Sequence, residues 1–322
     1  MIASIVDRLL EAPIAPSFTR VGYQARRSLE GWTDLADYDL TGRTMAVTGA
    51  TSGLGLAAAR QLAACGARLL VVGRNEAKTA DVCDDLASAS GAAIEPVIAD
   101  MGQPAAVAAA SARIRELAPT LDVLIHNAGA LSDVRRVNDD GIEQTVASQV
   151  VGPHAMTTAL LPALCAAAPG RVLTMSSGGM YSAPLSIAGL QMSEADYKGA
   201  EQYARAKRAQ VTLTEMWADR IDPAQVVFHS LHPGWADTPG VEEALPTFRK
   251  IVGPLLRSPE QGADTLVWLA ADDTEPLGSS GTFWLDRRAR SIHKLPTTRR
   301  TDTPDRRQAL WDWVQEAAGL TD

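Results

Sequence analysis

The sequence predicts an α/β fold: a doubly wound parallel sheet in three layers, α/β/α, with a helical arm before it and a docking helix after it. Three observations predict this. From Thr41 onward, short β runs alternate with helical stretches, which implies crossovers between parallel strands. The run from Arg68 to Val72 is apolar after its first residue, as expected of a strand covered on both faces. A glycine-rich turn over 48–55 stands between the first strand and the first helix of the alternating region.

Taken in order, residues 1–40 read as the arm. Ile2, Ile5, Val6, Leu9 and Leu10 recur at helical spacing, and Pro13 and Pro16 end that helix. A second amphipathic piece covers about 19–32, with Val21, Tyr23, Leu29 and Trp32 among its apolar residues. The arm is expected to pack on the main domain; a lipid-facing or partner-facing arm is the alternative. The α/β domain is placed at 41–296, with strands at 44–48, 68–72, 93–98, 121–125, 171–175 and 226–231. Helices are expected from the turn to about 65, then at 75–90, 104–117, 141–165 and 199–220. The tail 297–322 opens on Arg299, Arg300, Arg306 and Arg307. It ends in a helix over 305–320 carrying Leu310, Trp311, Trp313 and Val314.

A chain of 322 residues is long enough to bury a large core, and 46% hydrophobic with 21% charged residues is ordinary for a globular protein. The net charge of −8 disfavours a nucleic-acid partner, which needs a basic footprint. Cys65, Cys83 and Cys165 are few and scattered. They suggest a reducing, cytoplasmic setting, with neither a disulfide framework nor a metal site. No run of about 18 apolar residues stands out as a membrane span. The first ten residues do not read as a signal peptide, because Asp7 and Arg8 interrupt them.

The turn Thr48-Gly49-Ala50-Thr51-Ser52-Gly53-Leu54-Gly55 suits a pyrophosphate, since a helix N-terminus offers free N–H groups and partial positive charge. Gly49 permits the tight turn, Gly53 close approach, and Gly55 helix-against-strand packing. A merely flexible Ala/Gly turn is the bland alternative. Tyr203 and Lys207 lie four apart on one predicted helix face, so phenol and ammonium can point at the same space. A fixed positive charge favours the phenolate, and such a tyrosine can exchange a proton with an alkoxide-level oxygen. The same pair also occurs on solvated helix faces.

Together these residues resemble the short-chain dehydrogenase/reductase family. The turn resembles its TGxxxGxG motif, Asn127-Ala128-Gly129 its NAG motif, and Ser176-Ser177 with Tyr203 and Lys207 its Ser–Tyr–Lys arrangement. Pro233-Gly234 with Thr238 resembles its PGxxxT. The stretches 175–180, 232–241 and 261–265, with the tyrosine-bearing arm, resemble the dehydrogenase/reductase member 12 subgroup. The resemblance implies a Rossmann-type fold and an oxidoreductase acting on a carbonyl or alcohol. It implies catalytic roles for Ser177, which would hydrogen-bond the reacting oxygen, for Tyr203 as acid/base, and for Lys207, which would lower the tyrosine's pKa and hold the nicotinamide ribose. The implied cofactor-binding set is Gly49, Thr51, Ser52, Gly53, Leu54, Gly55, Arg74, Asp100, Met101, Asn127, Ala128, Gly129, Tyr203, Lys207, Pro233, Gly234 and Thr238, with Asp100 accepting from the adenine amine. Family members often form dimers or tetramers, so a homo-oligomer is expected.

Arg74 stands where an acidic residue would bind the ribose 2′-OH of NAD; a guanidinium pairs with the 2′-phosphate of NADP. NADP is therefore expected, with NAD the alternative because Glu76 is nearby. Gln149 departs from the family, which places an asparagine there to support a water linking the lysine to solvent. Ser177 alone could be turn chemistry and Asp100 alone a helix cap. His126 and His232 are expected as structural neighbours. Met180, Tyr181, Leu185, Ile187, Leu190, Met192 and Trp235 suggest an apolar pocket for a lipophilic substrate, or simple packing of the insert. Residues 237–256 are a candidate lid. Two other readings stand: a cofactor-binding regulatory or scaffold protein with weak catalysis, and a sugar-nucleotide epimerase or dehydratase, whose glycines usually run TGxxGxxG.

Overall fold

The computed structural model describes residues 2–11, 15–244 and 246–320. Its strands are β1 (Thr44–Thr48), β2 (Arg68–Gly73), β3 (Ile94–Ile98), β4 (Val123–His126), β5 (Gly170–Met175), β6 (Val226–Leu231), β7 (Thr282–Leu285) and β8 (Arg288–Ala289). They form one sheet in the order β3-β2-β1-β4-β5-β6-β7-β8. All neighbours pair parallel except the last, where β8 turns back against β7. The chain starts at the middle, winds outward through β2 and β3, then returns to the other side of β1. Val47 is thus flanked by Val71 and Ile125. The reversal between β1 and β4 opens a crevice at the carboxyl ends of the strands, where ligands bind in such sheets.

Before the sheet come α1 (Ile2–Glu11), α2 (Ala15–Phe18) and α3 (Arg20–Glu30). The crossovers are α4 (Gly53–Ala64), α5 (Glu76–Ser90), α6 (Pro104–Leu117), α7 (Gln144–Val146), α8 (Gly152–Ala167) and α9 (Gly199–Ala218). After β6 follow α10 (Pro239–Ala244), α11 (Pro246–Val252), α12 (Pro259–Ala271), α13 (Pro296–Thr301) and α14 (Pro304–Ala317). Because successive strand residues point to opposite faces, Met45 and Val47 pack with α4 and α12, whereas Ala46, Leu70 and Leu124 pack with α6 and α8. The terminal helix docks through Leu310 and Val314 against Leu213 and Met216 of α9.

The predicted helix over 141–165 begins later and is interrupted. Between α7 and α8 lies a wide π turn, Ala147–Val151, in which Gly152 N–H donates to the Ala147 carbonyl. The stretch Gln144–Ala167 is long and apolar enough by composition to cross a bilayer. Here Met156, Leu160 and Leu164 are buried in the core beside α6 and the sheet.

The arm is held by charge more than by the apolar face of α1, whose Ile5 and Leu9 are exposed. Arg26, buried, donates to Asp7 at 2.8 Å and to Asp286 at 2.5 Å. Arg257 meets the same Asp286 at 2.5 and 2.9 Å. Tyr23 donates to Asp264 at 3.1 Å, and Arg287 pairs with that carboxylate. Pro13, expected to end the first helix, lies outside the described residues.

Candidate active site

The glycine turn, Asn127-Ala128-Gly129, Ser176-Ser177 and Pro233-Gly234 follow the carboxyl ends of β1, β4, β5 and β6, while Tyr203 and Lys207 lie on α9. The turn after β1 is built for close approach. Gly49 has φ +68°, and a Cβ there would sit 2.7 Å from the Ala128 Cα. A side chain on Gly55 would overlap the Asn127 amide and the Gly49 carbonyl. Asn127 Nδ2 donates to the carbonyls of Thr48 and Gly49, both at 3.2 Å. The Thr48 hydroxyl accepts from the backbone N–H groups of Asn127 and Ala128, each at 3.0 Å. Thr48 therefore ties the glycine turn to the loop after β4, a role that the sequence reading missed although it opens the glycine motif.

At the start of α4 the Ser52 side chain makes no cap hydrogen bond, and among the described residues no side chain accepts from the N–H groups of 53–55. Those groups, with glycines at 49, 53 and 55, fit a pyrophosphate. Leu54 contributes backbone only, because its side chain packs towards Gly262 of α12. The Thr51 methyl faces the end of β2 at Gly73, and Arg74 follows there, exposed and without a hydrogen bond or ion pair among the described residues. Thr238 lies across from Gly53, 3.5 Å from where a Cβ would be. Asp100 is no helix cap, since α6 starts later with Gln103 at its N-cap; its Oδ1 accepts from Gly102 N at 2.9 Å. Met101 is buried, and its carbonyl faces Gly152. Gly129 lies against the Gln149 amide. Pro233 and Gly234 are held by Arg257, which donates to the Pro233 carbonyl at 3.2 Å.

Ser177, Tyr203 and Lys207 come together. Ser177 follows β5, and its Oγ accepts from Gly179 N at 3.2 Å. Its neighbour Ser176 points the other way, donating to the Lys207 carbonyl at 3.2 Å. On α9, the Tyr203 phenol is buried and lies near enough to the Ser177 side chain for that hydroxyl to draw its pKa down. Lys207 is buried; its Nζ donates to the Met175 carbonyl at 2.8 Å and lies 5.3 Å from the Tyr203 ring centre.

Electrostatics depart from the spacing argument, which expected Lys207 to draw the phenol down. Burial pushes Tyr203 up to about 12, with the Ser177 hydroxyl pulling the other way. Burial also brings Lys207 down to about 7. An ammonium that is itself half discharged near neutrality has less charge with which to help the phenol. His126 and His232 are both pushed down to about 3 by burial, so they are neutral near pH 7. His126 Nε2 is 2.8 Å from the Thr157 hydroxyl, and His232 packs against the edge of Phe18. Gln149, in the π turn, donates its amide to the Ala130 carbonyl at 2.8 Å.

In the insert after Ser177, Met180 and Tyr181 are buried with Phe18, Phe283 and Ile292, and Trp235 packs against that cluster. Leu185 and Leu190 belong elsewhere, packing on α9 and the terminal helix. Among the described residues no group of three or more His, Cys, Asp or Glu side chains is placed to hold a metal ion.

Residues 43–247 match the family model described as short chain dehydrogenase. The chain is 36% identical over 306 residues to "Dehydrogenase/reductase SDR family member 12" of Homo sapiens, covering 94% of each chain. It is 29% identical over 299 residues to "Retinol dehydrogenase 14" of Homo sapiens, covering 87% of each. Among solved structures, L-sorbose reductase from Gluconobacter frateurii, complexed with NADPH and L-sorbose, superposes with a TM-score of 0.64. That match has 20% identity and covers 77% of this chain and 96% of the other, a likeness of fold.

Proposed function

Because the chain belongs to the short-chain dehydrogenase/reductase family, whose members are oxidoreductases acting on alcohol and carbonyl groups, we propose that it works with NADP(H) on a lipophilic carbonyl or alcohol, with Tyr203 as the acid/base. The observation that supports this reading is the meeting of Ser177, Tyr203 and Lys207 at the carboxyl end of β5.

A nicotinamide bound there supplies or accepts the hydride. The Ser177 hydroxyl orients the substrate oxygen and stabilises charge growing on it. With its phenol held near 12, Tyr203 is a protonated donor at neutral pH, suited to protonating that oxygen during reduction. Lys207, fixed by the Met175 carbonyl, keeps its remaining N–H groups for the ribose and the phenol side. Arg74 is free to meet a 2′-phosphate, and Thr51 beside it presents a neutral methyl instead of a carboxylate. The aromatic cluster around Trp235 favours an apolar substrate.

A homo-oligomer and a reducing, cytoplasmic setting complete the proposal, the latter supported by three free cysteines. A second reading, cofactor binding with weak turnover, is kept by Gln149, whose amide is engaged with Ala130. Parallel titration with NADPH and NADH, followed by an aldehyde and ketone panel monitored by NADPH absorbance, separates the two. Tight NADPH binding without turnover of any carbonyl would favour the second.

A further inference from the structure

We propose that the N-terminal arm is a working part of the active site, in which Phe18 is the positioning residue that sets Trp235 as the apolar wall for the substrate. This rests on the carbonyl-reductase reading above, and deepens it.

Two contacts place Phe18 at the junction of the catalytic and loop segments. A Cβ on Gly178, the residue after Ser177, would lie 3.0 Å from the Phe18 ring, so the ring rests directly on the backbone that carries the serine. The same ring meets His232 edge-on at 4.3 Å and Trp235 edge-on at 5.8 Å, and lies parallel to Tyr181 at 6.5 Å. Phe18 is 4% exposed whereas Trp235 is only half-buried. Of the two rings, only the indole keeps appreciable accessible surface, so in this proposal it is the indole that meets the substrate while the buried phenyl ring supports it.

Backbone hydrogen bonds fix the two segments to each other. Trp235 N–H donates to the Phe18 carbonyl at 2.7 Å, and Arg257 N–H donates to the Trp235 carbonyl at 2.8 Å. The Arg257 guanidinium reaches the carbonyls of Phe18 at 3.1 Å, Ser17 at 2.9 Å and Pro233 at 3.2 Å. Asp286 pairs with both Arg257 and Arg26, so the arm and the loop 233–235 share one buried carboxylate. An arm that merely covered apolar surface would need none of these bonds to the loop that follows β6. Here the segment that bounds the nicotinamide side in the proposed site takes its position from the arm.

The test is a double-mutant cycle on substrate selectivity, using the whole chain with NADPH and two aldehydes, propanal and octanal. Removing an apolar wall changes discrimination by about tenfold or more. Phe18→Ala and Trp235→Ala are each expected to lower the octanal-to-propanal ratio of kcat/KM by about tenfold, mainly through KM for octanal. NADPH affinity should stay within about twofold. Residues acting through one another are non-additive, so the double variant should be no worse than Trp235→Ala alone. If Phe18→Ala fails to fold, Phe18→Leu should shift the ratio in the same direction by a smaller factor. An unchanged ratio in a folded Phe18 variant, or two effects that simply multiply, would overturn the inference. A wild-type protein that binds NADPH but reduces neither aldehyde would instead overturn the underlying reading and the wall with it.

Discussion

The Lys207 ammonium sits 5.3 Å from the centre of the Tyr203 ring, one helical turn away on α9, and is anchored there by the Met175 carbonyl at 2.8 Å. The anchor comes from the end of β5, the strand that also delivers Ser177. Sheet and helix therefore fix the geometry of the pair jointly, and each prediction below probes one part of that arrangement or of its support.

Asp286 is fully buried between Arg26 and Arg257. Removing one partner from a buried ion cluster leaves uncompensated charge and typically costs roughly 3–5 kcal/mol. Asp286→Ala should lower stability by about that amount in urea unfolding, with the arm becoming the first region to lose hydrogen-exchange protection. Wild-type stability in the variant would show that the cluster is dispensable.

Arg74 is exposed and follows β2 beside Thr51. An exposed guanidinium is partly screened by solvent and salt, so Arg74→Ala should weaken NADPH binding by about tenfold rather than abolish it. NADH affinity should be unaltered, and the NADPH loss should shrink at high salt. A variant with unchanged preference between the two nucleotides would remove Arg74 from the cofactor argument.

Four buried histidines govern the acid limb of stability. Burial lowers His126 and His232 to about 3, and His154 and His229 to about 4, from 6.5. Between those values the unfolded chain binds protons that the native protein does not, so stability falls as pH drops from about 6.5 towards 4. The paired carboxylates Asp7 and Asp286 are held below the usual range, the arginines outweighing the opposing push of burial, so their contribution is lost only at lower pH. Thermal unfolding should show a steep decline over that upper window. His154→Gln should reduce it by roughly 1–3 kcal/mol. A flat profile down to pH 4 would contradict the neutral, buried assignment.

What the sequence disclosed was mostly what is local. The turn 48–55 and the Tyr203/Lys207 pair are read within a few residues, and β1 and β6 lie where the apolar runs put them. α12 was missed because it is buried on all sides, so its run from Leu266 to Ala271 shows no amphipathic stripe. β7 and β8 are short and complete an edge that only the assembled sheet defines. The π turn at 147–151 has no composition of its own. Arg26 and Asp286 are 260 residues apart, and no spacing rule could join them. The arginines of the tail and of the stretch before it carry no sequence mark of a partner, yet Arg287, Arg290 and Arg307 are engaged in ion pairs. The displacement of the Tyr203 phenol upward was likewise invisible, because burial is a property of the whole fold.

The most direct measurement is steady-state NADPH oxidation with an aldehyde series, comparing wild type with Tyr203→Phe, which removes one hydroxyl and little else. Loss of a positioned acid should cut kcat by about 10²–10⁴, while KM for NADPH stays within about twofold. Full turnover in Tyr203→Phe would show that the proton comes from elsewhere and would contradict the account.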